Sequence, residues 1–350
     1  MAQTLRIGNK KVGNNEPVFI IAEMSANHNQ SYDLAVKTIK AAKKAGADAI
    51  KMQTYTADTL TIDVDKKHFT IKQGSVWDGK SLYKLYQKAY MPWEWQPKLK
   101  KLAEKLGLIC FSSPFDKTAV DFLEKMKVPA YKVASYEITD VPLIEYMASK
   151  GKPVLISTGI ATLSDMKEAV AACKKKGNSQ IILLKCTSGY PAPLEEVNLK
   201  IIPDMIKRFN LIIGISDHTL GIGVPVAAVA LGAKVIEKHF ILDRSLGGPD
   251  SEFSLEPKEF MQMVNSVRTA EKALGKATYK LTGKMRKGRS ISRSLFFVKD
   301  VCAGERITEN NVRSIRPGFG LHPREMKKII RRKIKSNVTR GTPVSWRHIK

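Results

Sequence analysis

From Val18 to Ile241 the chain alternates eight times between a short apolar run and an amphipathic one. The strand-like runs are Val18–Met24, Ala49–Tyr55, Leu108–Phe115, Ala130–Glu137, Pro153–Gly159, Gln180–Ser188, Leu211–His218 and Val235–Ile241. Most are rich in β-branched or other apolar residues without strict alternation, the pattern of parallel strands covered on both faces. Helix-like stretches separate them, among them Tyr32–Ala47, Glu94–Gly107 and Ser164–Lys176, and Glu256–Gly275 follows the last. Several stretches end at a glycine, namely Gly46, Gly107, Gly151 and Gly177, as helices that terminate in a left-handed cap do. Eight βα units in about 260 residues fit a closed TIM (β/α)8 barrel better than an open doubly wound sheet.

The flanks read differently. Residues 1–16 suit a short hairpin, Leu5–Ile7 and Lys11-Val12 around Gly8-Asn9, capping the barrel floor. The second strand is followed by an unusually long stretch, Thr56 to Pro92. Its Trp77, Tyr83, Tyr86 and Tyr90 suggest a loop folded over the mouth. After Gly275 the pattern shifts to short β-like pieces at Ser294–Val298, Gly304–Ile307, Val312–Ile315 and Gly341–Trp346. The expected organisation is an α/β barrel domain over 1–280 and a small β-rich domain over 281–350.

Composition narrows the function classes. No apolar run is long enough to cross a bilayer, and Met1–Asn15 is too polar for a secretory leader. A soluble, cytoplasmic protein with no membrane partner is expected. The four cysteines, Cys110, Cys173, Cys186 and Cys302, lack CxxC spacing and suit reduced thiols. Fifty-nine Lys and Arg against 33 Asp and Glu leave a net charge of +26, which favours anionic ligands. Much of that charge lies on helix faces. No zinc-finger, RNP-type or bZIP pattern accompanies it, so no nucleic-acid partner is expected.

In a barrel, polar residues at the carboxyl ends of strands are the catalytic candidates. Those ends carry Glu23 and Asn27-His28, then Lys51 and Gln53, Ser112-Ser113, Lys132, Ser135 and Glu137. They continue with Ser157-Thr158, Lys185, Thr187-Ser188 and Tyr190, then Ser216-Asp217-His218 and Glu237-Lys238-His239. His218 and His239 end consecutive strands, and imidazole is the commonest side-chain metal ligand. Two such ligands suit a divalent Lewis acid such as Mn2+. Lysines with Ser and Thr hydroxyls make a cradle for an anion, and Glu23 could serve as a base or as a third anchor. Each lysine could equally be an ion pair inside the barrel mouth, and each histidine could simply end a buried strand. A lysine at this position also permits a metal-independent imine aldolase using Lys132 or Lys51. A non-catalytic carbohydrate-binding protein is the third reading.

The motifs Ala22-Glu23-Met24-Ser25-Ala26-Asn27-His28, Ile50-Lys51-Met52-Gln53-Thr54-Tyr55, Phe111-Ser112-Ser113-Pro114-Phe115 and Tyr131-Lys132-Val133-Ala134-Ser135 resemble the sialic acid synthases. So do Ser157-Thr158-Gly159, Cys186 to Pro191, Ser216-Asp217-His218-Thr219, Glu237-Lys238-His239-Phe240 and Gly248-Pro249-Asp250. The resemblance covers essentially the whole chain. Ser314 to Gly320 looks like the family's antifreeze-like (SAF) domain. Within the family, Ser25-Ala26-Asn27-His28, Gln53 to Thr56 and Trp77-Asp78-Gly79 with Leu82-Tyr83 look like the pseudaminic acid synthase branch. Neuraminate and legionaminate synthases usually carry an asparagine where this chain has Ser188, which points away from N-acetylmannosamine.

The resemblance implies condensation of phosphoenolpyruvate with an N-acetylated amino sugar, here 2,4-diacetamido-2,4,6-trideoxy-altrose. The alternative is a manno-configured sugar, giving N-acetylneuraminate or legionaminate. His218 and His239 are implied to hold Mn2+, with Mg2+ or Co2+ as alternatives. Lys51, Ser113, Lys132, Ser135, Ser157 and Ser216 match positions that grip phosphoenolpyruvate, and Glu23 matches the residue that manages water and protons. Glu137, Tyr190 and Asp250 match sugar contacts. Arg316 matches an arginine given to the partner's site, which implies a domain-swapped homodimer.

Overall fold

The computed structural model describes residues 4–13, 15–72 and 77–350. Leu5, Ile7 and Val12 lie among polar neighbours and form the inner side of an antiparallel hairpin, β1 (Thr4–Ile7) and β2 (Lys10–Gly13). Ile7 and Val12 are fully buried in the barrel's hydrophobic cluster. Gly8 turns the hairpin at φ +57°, and a Cβ there would meet Ile109 at 3.3 Å. That contact is at the amino end of a barrel strand, so the hairpin caps the barrel floor.

Eight runs apolar on both faces then become eight parallel strands. They are β3 (Phe19–Glu23), β4 (Ala49–Thr54), β5 (Ile109–Pro114), β6 (Tyr131–Val133), β7 (Val154–Ser157), β8 (Ile181–Cys186), β9 (Ile212–Asp217) and β10 (Val235–His239). Their order, β10-β3-β4-β5-β6-β7-β8-β9, closes into a barrel. Between the strands run the helices Tyr32–Lys44, Gln96–Lys105, Lys117–Lys125, Val141–Ala148, Leu163–Lys175, Ile201–Phe209 and Gly223–Ala230, and Pro257–Leu274 follows β10. Local signals start several of them: Ser31 and Asp116 cap amino ends, and Thr162 with Asp165 forms a reciprocal capping box. The barrel–helix interface holds fully buried Ile39, Leu99, Leu123, Ile144 and Ile202, each stabilising the fold by about 1.5–3 kcal/mol.

The strands stop earlier than the apolar runs suggest. Ala130–Glu137 yields only β6, because the Val133 carbonyl accepts a hydrogen bond from Lys132 Nζ (3.0 Å) and the ladder ends there. Ser135–Glu137 winds into a 3-10 turn instead. The stretch after β4 forms the short helix Ala57–Leu60 and the helix Leu82–Ala89.

The chain divides into two compact units, Met1–Gly275 and Lys276–Lys350. The second unit pairs β11 (Ser294–Phe297) with β12 (Val312–Ile315) antiparallel. Its own core includes Leu295, Phe297, Val301, Ile307, Val312 and Val344. Among the described residues no helix is long and apolar enough to cross a membrane.

Candidate active site

Side chains alternate along a strand, so one inward residue fixes its neighbours two steps away. On β10 this aligns Val235, Glu237 and His239; on β4 it aligns Ala49, Lys51 and Gln53. The register sets Glu23 beside both Lys51 and His239, and Ser216 beside Glu237. Four charges therefore converge inside the barrel: Glu23, Lys51, Glu237 and Lys132, each no more than 4% exposed.

Opposite signs alternate around this cluster. Lys51 forms a close ion pair with Glu23, and its Nζ lies 3.9 Å from Glu237 Oε2. Lys132 Nζ is 3.7 Å from Glu237 Oε1. Hydroxyls finish the lining: Lys51 Nζ donates to Ser113 Oγ (3.1 Å), Lys132 Nζ to Ser157 Oγ (2.7 Å), and Ser216 Oγ to Glu237 Oε1 (3.0 Å). Ser25, in the left-handed region at φ +45°, donates its backbone N–H to Glu23 Oε1 at 2.9 Å. Its Oγ accepts from Gln53 Nε2 at 2.9 Å.

The environment separates the two carboxylates. Burial raises Glu23 to about 7; Lys51 opposes the rise, and Glu237 adds to it. Burial also acts on Glu237, but Lys132, Lys51 and the Ser216 hydroxyl hold it below its ordinary range. Glu237 is thus a fixed negative charge, while Glu23 exchanges its proton near neutrality. Burial draws Lys132 down. It acts the same way on Lys51, where Glu23 and Glu237 outweigh it and keep the ammonium charged.

One step along the β10 face from Glu237, His239 faces His218, with ring centroids 5.2 Å apart. His218 Nδ1 lies 3.0 Å from the Thr187 carbonyl oxygen. A carbonyl only accepts, so Nδ1 carries a proton and Nε2 is the nitrogen left to meet a ligand. Burial, then His218, holds His239 well below its usual value, so it is neutral. Its buried Nδ1 has no hydrogen-bond partner among the described residues, and Asp250 Oδ2 is 3.9 Å away. Burial draws His218 down, but Cys186 and the Thr187 carbonyl outweigh it and hold it above its ordinary value. His239, neutral and with an orphaned nitrogen beside a carboxylate, and the facing His218 on losing its second proton fit a divalent ion. No group of three or more His, Cys, Asp or Glu among the described residues is arranged to hold a metal. Substrate oxygens and water would have to complete the coordination.

Above the charged floor lies a cavity of about 420 Å³, within the range of small-molecule sites. Ser135, Glu137, Tyr190, His239 and Asp250 line it. Ser188 Oγ donates to Ser135 Oγ (2.9 Å), and a Cβ on Gly159 would come within 2.1 Å of the first oxygen and 2.5 Å of the second. Only glycine fits there. Burial raises Glu137 to about 7, with Lys132 opposing. Tyr190 packs at a tilt against His218 (4.6 Å, 50°) and Trp77 (5.1 Å, 44°), and Trp77 Nε1 donates to the Pro249 carbonyl at 2.8 Å. The long stretch after β4 therefore covers the mouth through Trp77 and Tyr86, as the aromatic content suggests. Tyr83 instead donates to Asp58 on an exposed edge.

Several of the inventoried strand-end residues do not join the site. Lys238 forms a buried pair with Asp217 (2.5 Å) behind the barrel wall, and Lys185 donates to the Cys186 carbonyl (2.7 Å). His28 packs edge-on against Trp95 at 6.0 Å, and burial lowers it to about 4, making it a neutral scaffold residue. Arg316 is an exposed residue of the second unit. Glu237, central to the charge cluster, enters the sequence reading only as a strand-end candidate with no role assigned; its parity with His239 was the available signal. All four cysteines are free thiols, and Cys302 is the exposed one.

Comparison with known proteins adds a second line of support. The NeuB family matches residues 38–279, and the SAF domain matches residues 292–350. A pseudaminic acid synthase of Campylobacter jejuni is 47% identical over 337 residues, spanning 96% of this chain and 97% of that protein. A pseudaminic acid synthase of Helicobacter pylori is 44% identical, spanning 94% and 97%. Among solved structures, the N-acetylneuraminic acid synthetase of Leptospira borgpetersenii superposes with a TM-score of 0.74 at 34% identity, covering 82% of this chain and 95% of that one.

Proposed function

The chain belongs to the NeuB family, and from that premise we propose that it is a pseudaminic acid synthase acting as a cytoplasmic homodimer. The reaction joins phosphoenolpyruvate, 2,4-diacetamido-2,4,6-trideoxy-altrose and water to give pseudaminate and phosphate. One observation carries this reading: two buried lysine ammonium groups, lined by serine hydroxyls, adjoin a facing pair of histidines inside one barrel mouth. That is an anion cradle beside a metal-type donor set.

Lys51 and Lys132, with Ser113, Ser135, Ser157 and Ser216, bind the phosphate and carboxylate of phosphoenolpyruvate through charge-assisted hydrogen bonds. Glu237 keeps the two ammonium groups apart and aimed inward. His218 and His239 would hold a divalent ion, Mn2+ with Mg2+ or Co2+ as alternatives, which would supply Lewis-acid polarisation of the sugar aldehyde. Glu137, Tyr190 and Asp250 orient the open-chain sugar, and Arg316 of the partner subunit would join these sugar contacts. The methylene carbon of phosphoenolpyruvate forms a bond to the aldehyde carbon, whose oxygen takes a proton from Glu23. Water then adds to the former enol carbon and gives its proton to Glu23. The oxygen of the hydroxyl so formed closes the keto C=O as the bond from that carbon to the phosphate oxygen breaks, and its proton leaves with the phosphate. A carboxyl half-protonated near pH 7 suits both transfers.

Phosphoenolpyruvate carrying 18O in the bridging position tests this directly. The released phosphate should carry the label, and release should require both the sugar and a divalent ion. Label retained in the nine-carbon product, or phosphate released without sugar, would contradict the mechanism.

A further inference from the structure

The 420 Å³ cavity has two chemically different ends. Its floor is polar, with Gln53, Glu137, His239 and Asp250. Its outer wall is apolar and comes from one stretch of chain: Leu60, Ile71, Leu82, Leu85 and Ala89. Tyr55 flanks this wall, edge-on to both Phe115 (5.1 Å) and Tyr86 (5.8 Å). The wall and the histidine pair belong to the same cavity, so one ligand must satisfy both ends.

We propose that this wall receives the C6 methyl and the 4-acetamido methyl of the sugar, and that Leu82 and Leu85 make the enzyme select a 6-deoxy substrate. The proposal rests on the reaction given above. In that reaction the sugar aldehyde carbon lies at the histidine end, so the opposite end of the open chain projects outward to the wall. A methyl group there loses no hydrogen bond on leaving water and gains apolar contact. A C6 hydroxyl would leave water for a leucine-lined surface without a compensating partner. Pockets of this kind discriminate against an added hydroxyl by about 100-fold. The hydroxyl-rich cradle below cannot supply this selection, because it is occupied by phosphoenolpyruvate.

The test uses the full-length protein with phosphoenolpyruvate, Mn2+ and two sugars identical except at C6, one deoxy and one hydroxylated. kcat/KM should favour the deoxy sugar by about 100-fold. Leu82→Asn and Leu85→Asn should each lower that preference about tenfold, mainly through KM, whereas Leu85→Met should keep it. Both leucines are only half-buried, and circular dichroism checks that each variant folds. Calorimetric binding of the two sugars should show the same ordering without turnover. Equal use of both sugars by the parent protein, or an unchanged preference in both folded asparagine variants, would overturn the proposal while leaving the reaction intact. Absence of turnover with either sugar would instead remove the reaction and the proposal together.

Discussion

Glu137→Gln should stabilise the protein at pH 8 and leave it nearly unchanged at pH 4. Burial raises the Glu137 carboxyl from an ordinary 4.5 to about 7, so the folded protein favours its protonated form. Between those two values the folded state holds a proton that the unfolded chain has released. Stability therefore falls as pH rises through this window, and the full penalty is present above pH 7. At about 1.36 kcal/mol per pH unit, the rise corresponds to roughly 3 kcal/mol. The side chain is partly reachable by water, which reduces the figure to about 2 kcal/mol. Glutamine reproduces the protonated shape and cannot ionise, so it removes the penalty above pH 7 and changes little below pH 4.5. Thermal unfolding followed by circular dichroism should show a midpoint about 4 °C higher for the variant at pH 8, with nearly coincident curves at pH 4. The same variant should bind the sugar more weakly, because an ionised contact has gone. Equal midpoints at pH 8, or a variant less stable there, would refute the reasoning.

Four further outcomes follow from the same geometry. Lys238→Met leaves Asp217 as a buried unpaired carboxylate; denaturant titration should show a loss of about 3–5 kcal/mol, and a loss below about 1 would count against a structural pair. Gly159→Ala drives a methyl group into the Ser135 and Ser188 hydroxyls, so kcat/KM for phosphoenolpyruvate should fall at least about tenfold; unchanged kinetics would show that the serine pair does not matter. Because Glu23 must start protonated and titrates at about 7, kcat should decline as pH rises above that value, and Glu23→Gln should abolish the limb and lower kcat by about 100-fold or more. A flat profile from pH 6 to 8 in the parent protein would exclude that role. His239→Ala should eliminate the response to added Mn2+ with the circular dichroism spectrum retained; undiminished activity at low free metal would remove the ligand assignment.

The barrel was legible because its strands are apolar on both faces, a pattern that only a sheet wrapped by helices requires. The site was legible at the strand ends for a related reason: polar residues there have no packing role to explain them. Which of these face inward is a matter of parity. Ser216 and His218 point in, so Asp217 between them points out, and Lys238 between Glu237 and His239 follows it to form their buried pair. That inference needed no structure, and it would have separated Glu237 from Lys238. Other features depend on contacts far apart in sequence. The early end of β6 follows from the Lys132 contact with Val133, and the neutral state of His28 follows from its burial against Trp95. The raised carboxyl of Glu23 depends on the barrel closing β10 onto β3. No local propensity encodes those meetings.

The central claim is a condensing synthase that takes the altrose-configured diacetamido sugar. Phosphate release by the purified protein, with phosphoenolpyruvate and Mn2+, should be measured against three sugars offered separately: 2,4-diacetamido-2,4,6-trideoxy-altrose, its manno counterpart and N-acetylmannosamine. Mass spectrometry should identify pseudaminate with the altrose sugar alone, and EDTA should abolish its formation. Preferential turnover of either manno-configured sugar, or no phosphate release with any of the three, would contradict the account.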